Sequence, residues 1–369
     1  NNIPEMPEVK KVHFIGIGGA SMSGLAAILH DLGYIVTGSD QNSTSVTERL
    51  RSMGIKVYHG HSEDHIVDPD LVVYTIAVAG DNPELVRARS LNIPVIDRAE
   101  LLGQIMKKYT YSVAVSGTHG KTTTTSMISV ICLEAGLDPT IHIGGDLNAI
   151  GGNTRLGSDK YFITEACEYC ESFLKLHPYL AVILNIELDH ADYFRDIGHV
   201  RAAFGKFASL VPPEGYLVSN FDDPFIASMA ETLECNVVSY GLVNKKADWT
   251  ATGVEFDNMG LPSYNMVYKG QLIGHVSLKV PGFHNVGNSL AAAAACHALG
   301  CDLESIKRGL SLFTGTNRRF QLKGVVNGIK VIDDYAHHPT EIKATLAAAR
   351  SGWPDQRRAS RPSCRSRSR

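Results

Sequence analysis

Gly117-Thr-His-Gly-Lys-Thr-Thr123 is the stretch whose residue types most directly specify chemistry. An apolar, β-branched run from Tyr111 to Val115 reads as a buried strand, Gly117 and Gly120 make a short loop, and Lys121-Thr122 opens an apolar helix to about Glu134. This order cradles phosphate. Loop N–H groups and the helix N-terminus face the anion, the ammonium reaches the terminal phosphates, and the hydroxyl ligates Mg²⁺. The spacing departs from G-x-x-x-x-G-K-[ST], because position 115 is Val and the first glycine is Gly117. A strand–helix turn that merely needs glycine is the plainer alternative, but Gly-Lys-Thr at such a junction has few other uses.

A phosphate site needs cation ligands, and sites in parallel sheets open at the carboxyl ends of strands. Glu165 ends the run Tyr161–Glu165, and Asn185-Ile-Glu-Leu-Asp-His190 ends the run Leu180–Ile186. Glu165 can hold Mg²⁺ through oxygen, and His190 suits a second Mg²⁺ or Mn²⁺. A strand-end Glu alone is commonly solvated and a lone His commonly structural, so the weight lies in their sharing neighbouring strand tips with the loop.

The elements that position these groups form an α/β pattern. Lys10–Ile15 reads as a strand running into Gly16-Ile-Gly-Gly19, Met22–Leu32 as a helix, and Gly33–Asp40 as a second strand ending in an acid. This βαβ unit suggests a Rossmann-like domain, and its plain ligand is NAD. Ser21 replaces the third fingerprint glycine, so the turn specifies only a nucleotide or another diphosphate; an NAD dehydrogenase is the rival reading. Further strands at Lys56, Leu71 and Pro94 complete a domain over residues 1–108. Residues 109–314 read as a P-loop, parallel-sheet ATPase domain, with strands at Val113, Tyr161, Leu180 and Tyr216 and hairpins over 248–280. Residues 315–350 begin a third, partial α/β domain with an Asn327-Gly328 hairpin and a helix from Pro339.

The 369 residues exceed one ordinary core. The net charge of −3 hides an asymmetry: residues 350–369 hold seven Arg and one Asp, which leaves residues 1–349 at −9. An acidic body argues against nucleic-acid binding. No apolar run approaches the ~20 residues of a membrane span, the first residues lack a signal pattern, and seven scattered cysteines suit a reducing compartment, so the expected location is cytoplasmic and no membrane insertion is expected. Cys167 and Cys170 form a C-x-x-C without the second pair a zinc site needs. Residues 351–369 lack periodicity and read as a disordered basic tail, with an out-of-frame end as its simplest origin.

Taken together, Gly16–Gly19, Gly117–Thr123, Glu165-Ala-Cys-Glu-Tyr169, Asn185–His190, His284-Asn-Val-Gly-Asn288, Arg318-Arg-Phe320 and Asp333-Asp-Tyr-Ala-His-His-Pro-Thr-Glu341 resemble the Mur ligase family, in particular its alanine-adding branch, over about residues 8–353. The resemblance implies ATP-dependent joining of L-alanine to the lactyl carboxylate of UDP-N-acetylmuramate through an acyl phosphate, in peptidoglycan precursor synthesis, with Mg²⁺ or Mn²⁺. It assigns Lys121, Glu165 and His190 to catalysis and Thr122, Glu165 and His190 to metal. ATP falls to Gly117, Thr118, His119, Gly120, Lys121, Thr122, Thr123, Asn285, Asn288, Arg319 and Asp334. The UDP-sugar falls to Gly16, Gly18, Gly19, Ser21, Met22, Ser23, Asp40, His61, Thr75 and His119. Where some members carry a carbamoylated lysine this chain has Phe204, with Lys206 off register, so none is expected. The family's third domain is longer, and its shortness here leaves two rivals: an inactive fragment that binds UDP-N-acetylmuramate and ATP, or a ligase that recycles a whole peptide onto the same UDP-sugar. A shortened third domain should also expose an apolar face over residues 315–349.

Overall fold

The computed structural model describes residues 8–317 and 319–353; of the basic tail expected over 351–369, Ser351 and Gly352 close the helix Pro339–Gly352 and residues from 354 onward lie outside the described residues. The first unit alternates strand and helix: β1 Lys11–Ile15, α1 Ala20–Asp31, β2 Ile35–Asp40, α2 Ser45–Ser52, β3 Lys56–His59, β4 Leu71–Tyr74, α3 Pro83–Ser90, β5 Val95–Asp97 and α4 Arg98–Met106. The strands pair in parallel in the order β3-β2-β1-β4-β5. The order reverses between β1 and β4, the point at which sheets of this kind bind ligands at the strands' carboxyl ends. β1 is buried along nearly its whole length because helices cover both faces, which is why it reads as a continuous apolar run.

The second unit holds β6 Tyr111–Ser116, α5 Lys121–Glu134, β7 Thr140–Leu147, β8 Gly152–Arg155, β9 Tyr161–Glu165, β10 Leu180–Ile183, α6 Ile197–Ala208, β11 Tyr216–Asn220, α7 Pro224–Ala230, β12 Asn236–Gly241, β13 Trp249–Phe256, β14 Pro262–Tyr268, β15 Gln271–Ser277, α8 Phe283–Ala298 and α9 Leu303–Leu312. Its sheet runs β15-β14-β13-β12-β11-β10-β6-β9-β7-β8. Strands β7, β9, β6, β10, β11, β12 and β13 pair in parallel, and β14 and β15 pair antiparallel, as expected for hairpins over 248–280; the addition is β8, which pairs antiparallel with β7 at the other edge. The reason is local, since strands joined by tight turns must run antiparallel. Lys269 and Gly270 both take positive φ at such a turn.

The central strands alternate their side chains between two cores. Val113, Val115 and Val182 pack with Ile128, Ile131 and Leu290 from α5 and α8. Ala114, Ala181 and Ile183 face Val200, Phe204 and Phe207 of α6 on the other side, in a core continuous with that of the first unit. Phe204 is fully buried, whereas Lys206 points outward and pairs with Glu171 at 3.3 Å. The first two units are joined by polar contacts: Ser21 Oγ lies 2.9 Å from His142 Nε2, Asn153 donates to the Ala20 carbonyl at 2.9 Å, and Lys175 pairs with Asp97.

The third unit comprises β16 Gln321–Val326, β17 Ile329–Asp333 and α10 Pro339–Gly352. β16 and β17 form an antiparallel ribbon whose turn residues Asn327 and Gly328 have φ of 50° and 79°. Val325, Val326, Ile329 and Val331 are exposed on this ribbon, as are Ile342 and Leu346 on α10. Among the described residues nothing covers these apolar side chains, as the sequence pattern suggests. Among the described residues no helix is long and apolar enough to cross a membrane.

Candidate active site

All three units contribute to one cleft of about 690 Å³. Ser23 and Arg49 come from the first, Thr118, Gly120, Lys121, Thr122, Glu165, Glu168 and His190 from the second, and Arg319, Tyr335 and Glu341 from the third. The loop after β6 builds its floor. Gly117 and Gly120 have φ of 142° and 84°, and a side chain on Gly117 would meet Leu184 Cβ at 2.9 Å. Glycine is thus required for the turn and for close approach to the β10 tip. Asn185 clamps the loop on both sides, accepting from the His119 N–H at 2.8 Å and donating to the His119 carbonyl at 3.0 Å. Thr118 is held to Glu187 in the same way, accepting the Glu187 N–H at 2.8 Å. Thr123 sits half-buried in the first turn of α5.

Lys121 is tethered by three acceptors: the Gly117 carbonyl at 2.5 Å, the Thr118 carbonyl at 3.3 Å and Glu168 at 2.9 Å. Burial alone would lower the Lys121 pKa, but the neighbouring Glu168 charge outweighs it and raises the ammonium above the usual lysine range. Burial likewise works to raise Glu168, and Lys121 and His190 overcome it, keeping the carboxyl below its usual range. Glu168 reaches His190 Nε2 at 3.5 Å, and this contact, against desolvation, raises the imidazole. Glu165 accepts from Thr122 Oγ1 at 3.1 Å and from the Gly144 N–H at 2.7 Å. His190 itself has φ of 53°, which turns its ring back toward the cleft from the end of β10.

Donor types that a hard divalent cation accepts line the cleft, although Glu165, Glu168 and His190 are not gathered within 4.8 Å of one another. Thr122, Glu165 and Glu168 offer oxygen, and His190 adds an imidazole that Mn²⁺ also accepts. Glu168 was not assigned a role from sequence, although it lies three residues beyond Glu165 in the same quoted motif. Its signal was a second carboxylate on one strand-end loop.

The third unit reaches the loop through α10. His119 lies between Glu187 at 3.4 Å and Glu341 at 3.7 Å, with the His338 ring 4.5 Å away. Thr340 donates to Glu187 at 2.6 Å. Burial opposes charge on His119, but Glu341 and Glu187 raise its pKa. Glu341 is in turn lowered to about 2, because His119, the His337 N–H and Arg319 overcome the effect of burial. Arg319 also lies over the Tyr335 ring at 5.6 Å.

Other residues singled out from sequence have different surroundings. Asn285 and Asn288 bond each other at 3.0 Å behind Gly120, and neither lines the cleft. Asp334 uses both oxygens on backbone, accepting from the Phe320 and Ala336 N–H groups at 2.7 Å. Asp40 accepts the Gly18 N–H at 2.9 Å and the Asn42 N–H at 3.0 Å, so it braces the glycine turn. Gly16 has φ of 83° and abuts Thr75. Gly19 caps α1. Met22 is buried in the core and does not line the cleft. His61 lies 3.0 Å from Ser39 Oγ and 3.3 Å from Glu84, inside a cluster that sequence did not reveal. Gly16, Asp40, His61 and Thr75 lie at or just beyond the carboxyl ends of β1 to β4, and none of the four lines the cleft.

Comparison with known proteins agrees with this arrangement. Residues 11–110 match the Mur ligase family catalytic domain, 115–296 the Mur ligase middle domain, and 318–360 the Mur ligase glutamate ligase domain. The UDP-N-acetylmuramate–L-alanine ligase of Acetivibrio thermocellus is 62% identical over 343 residues, covering 93% of this chain and 73% of the relative. The enzyme of the same name from Alkaliphilus metalliredigens is 52% identical, covering 93% and 74%. The crystal structure of UDP-N-acetylmuramate-alanine ligase MurC from Thermotoga maritima superposes with a TM-score of 0.81 at 33% identity, covering 94% of this chain and 78% of that one. A murein peptide ligase from Psychrobacter arcticus gives 0.80 at 27% identity, covering 94% and 77%. With these matches running through all three units, the chain belongs to the Mur ligase family.

Proposed function

We propose that this chain is an ATP-dependent ligase that joins L-alanine to the lactyl carboxylate of UDP-N-acetylmuramate. The observation that carries the reading is the 62% identity to a UDP-N-acetylmuramate–L-alanine ligase across 93% of the chain. The cleft supplies the matching chemistry. Joining an acid to an amine with ATP brings a carboxylate against a phosphate, so charge neutralisation and positioning dominate catalysis. The loop amides from Gly117 to Thr122 and the α5 N-terminus orient phosphate oxygens. Lys121 neutralises them, exchanging its contact with Glu168 for the incoming anion. Arg319 and Glu341 belong to the unit that closes over the nucleotide.

Thr122, Glu165, Glu168 and His190 would hold Mg²⁺ or Mn²⁺, which when bound screens the charge between phosphate and carboxylate. The Gly16–Ser23 turn and the strand tips bearing Asp40, His61 and Thr75 form the UDP-sugar side, and His119 stands where loop and sugar carboxylate meet. The three domains are assigned as 1–108, 109–314 and 315–350.

The test is phosphate release with ATP, Mg²⁺, UDP-N-acetylmuramate and L-alanine. Release that requires all three substrates is expected; binding of UDP-N-acetylmuramate without turnover would instead identify a binding-only chain. The murein peptide ligase superposes nearly as well as the alanine ligase. A tripeptide acceptor is therefore run beside L-alanine, and preference for the peptide would replace this reading with the recycling one.

A further inference from the structure

Away from the cleft, three thiols meet in the second unit. Cys132 lies in the last turn of α5, Cys296 in the last turn of α8, and Cys301 in the turn between α8 and α9. Their sulfur atoms all lie within 4.8 Å of one another, and all three residues are buried. A cysteine that serves only as a small apolar filler needs no sulfur partner. Here three separate segments aim sulfur at one point. The Cys301 N–H bonds the Cys296 carbonyl at 2.9 Å, which fixes the turn, and Cys296 Sγ also faces the Ile128 carbonyl at 3.8 Å. Among the described residues no His, Asp, Glu or fourth Cys joins the set.

We propose that Cys132, Cys296 and Cys301 form a three-coordinate site for a trivalent thiophilic centre, of which arsenous acid is the chemical type. Sulfur selects a soft ion. Three bonds of about 2.3 Å to a pyramidal trivalent centre place the sulfurs roughly 3.3 Å apart, which the three side chains reach by rotating inward from separations that lie within 4.8 Å. Zinc prefers four ligands and finds only three. Charge then decides among the three-coordinate options. A dry core penalises any net charge; three thiolates around a trivalent centre sum to zero, whereas around a divalent ion they leave one negative charge. Arsenous acid is also uncharged at neutral pH, so its entry carries no ion through the core.

The chemistry balances without an oxidant or reductant. Three As–S bonds form while three As–O and three S–H bonds break; each departing hydroxyl takes one thiol proton and leaves as water. The product bolts the far end of the phosphate-loop helix α5 to α8 and α9.

The experiment uses the full reduced chain with sodium arsenite. Native mass spectrometry should show one arsenic bound per chain with three hydrogens lost. Iodoacetamide mapping in mild denaturant should then find Cys132, Cys296 and Cys301 protected while Cys167, Cys170 and Cys235 still react. Cys296→Ala should weaken binding at least tenfold. The wild-type protection map decides the matter even if that variant folds poorly. Protection confined to Cys167 and Cys170, or undiminished binding by a folded Cys296→Ala, would overturn the site. Cadmium(II) that protects the same three thiols while arsenous acid leaves them reactive would overturn the trivalent assignment.

Discussion

The Lys121 ammonium lies 2.9 Å from one oxygen of Glu168, and the other oxygen of that carboxylate lies 3.5 Å from His190. One buried charge thus couples the phosphate-loop lysine to the strand-tip histidine. Removing it leaves Lys121 desolvated with its main counter-charge gone. Glu168→Gln, which keeps the shape, should lower kcat about 100-fold while leaving UDP-sugar affinity nearly unchanged. Steady-state phosphate release together with calorimetric binding checks this. A variant within a few-fold of the parent would mean that Glu165 alone serves the cation.

Lys121→Ala should abolish ATP-dependent turnover and leave UDP-N-acetylmuramate binding largely intact, because the glycine turn at Gly16 and the loop at Gly117 belong to different sheets. Isothermal titration of the nucleotide sugar against parent and variant provides the comparison. An equal fall in sugar affinity and turnover would contradict the division of labour between the two units.

The legible part of this site was the part written as local chemistry. Gly117, Gly120 and Lys121 announce a phosphate loop because each residue type answers one steric or electrostatic need of the turn. Strands buried on both faces, such as Val113–Val115, announce themselves by continuous apolar residues. What stayed hidden depends on side-chain direction at a distance in sequence. Glu165 and Glu168 share one loop, and nothing local says that Glu168 is the one that turns toward Lys121. Asp40 and Asp334 sit at strand ends where ligand acceptors are common, yet both spend their oxygens on nearby N–H groups. Strand β7 escaped notice because Gly144 and Gly145 interrupt its alternation.

Gly120 tests the loop's shape independently of its charges. Its φ of 84° and the 2.7 Å separation between a built Cβ and Asn288 Oδ1 both oppose a side chain. Gly120→Ala should destabilise the chain by about 1–2 kcal/mol through the left-handed conformation alone and should raise the KM for ATP. Urea unfolding gives the first quantity and initial rates the second. Unchanged stability would show that the loop relaxes to another conformation at no cost.

Glu84 offers a prediction about pH, remote from the cation ligands. Its side chain is fully buried and accepts from Ser39 Oγ at 2.7 Å, with His65 Nδ1 at 2.8 Å and His13 Nε2 at 3.0 Å. Burial on its own would raise this carboxyl, but the hydrogen bonds from His13, Ser39 and His65 lower it from 4.5 to about 2. A carboxylate whose folded pKa is depressed stabilises the fold fully above its unfolded pKa and loses that contribution as pH falls through the folded one. The linked contribution is about 3 kcal/mol, from 1.36 kcal/mol per pKa unit. Glu84→Gln removes it, so the stability gap between parent and variant should be constant above roughly pH 5 and narrow steadily as pH falls toward 2. Urea denaturation of both proteins across that range measures the gap. Curves that stay parallel across the whole range would mean that folding leaves the Glu84 carboxyl at its unfolded pKa, and a gap that grew as pH fell toward 4.5 would mean that burial had won and the folded carboxyl was held neutral.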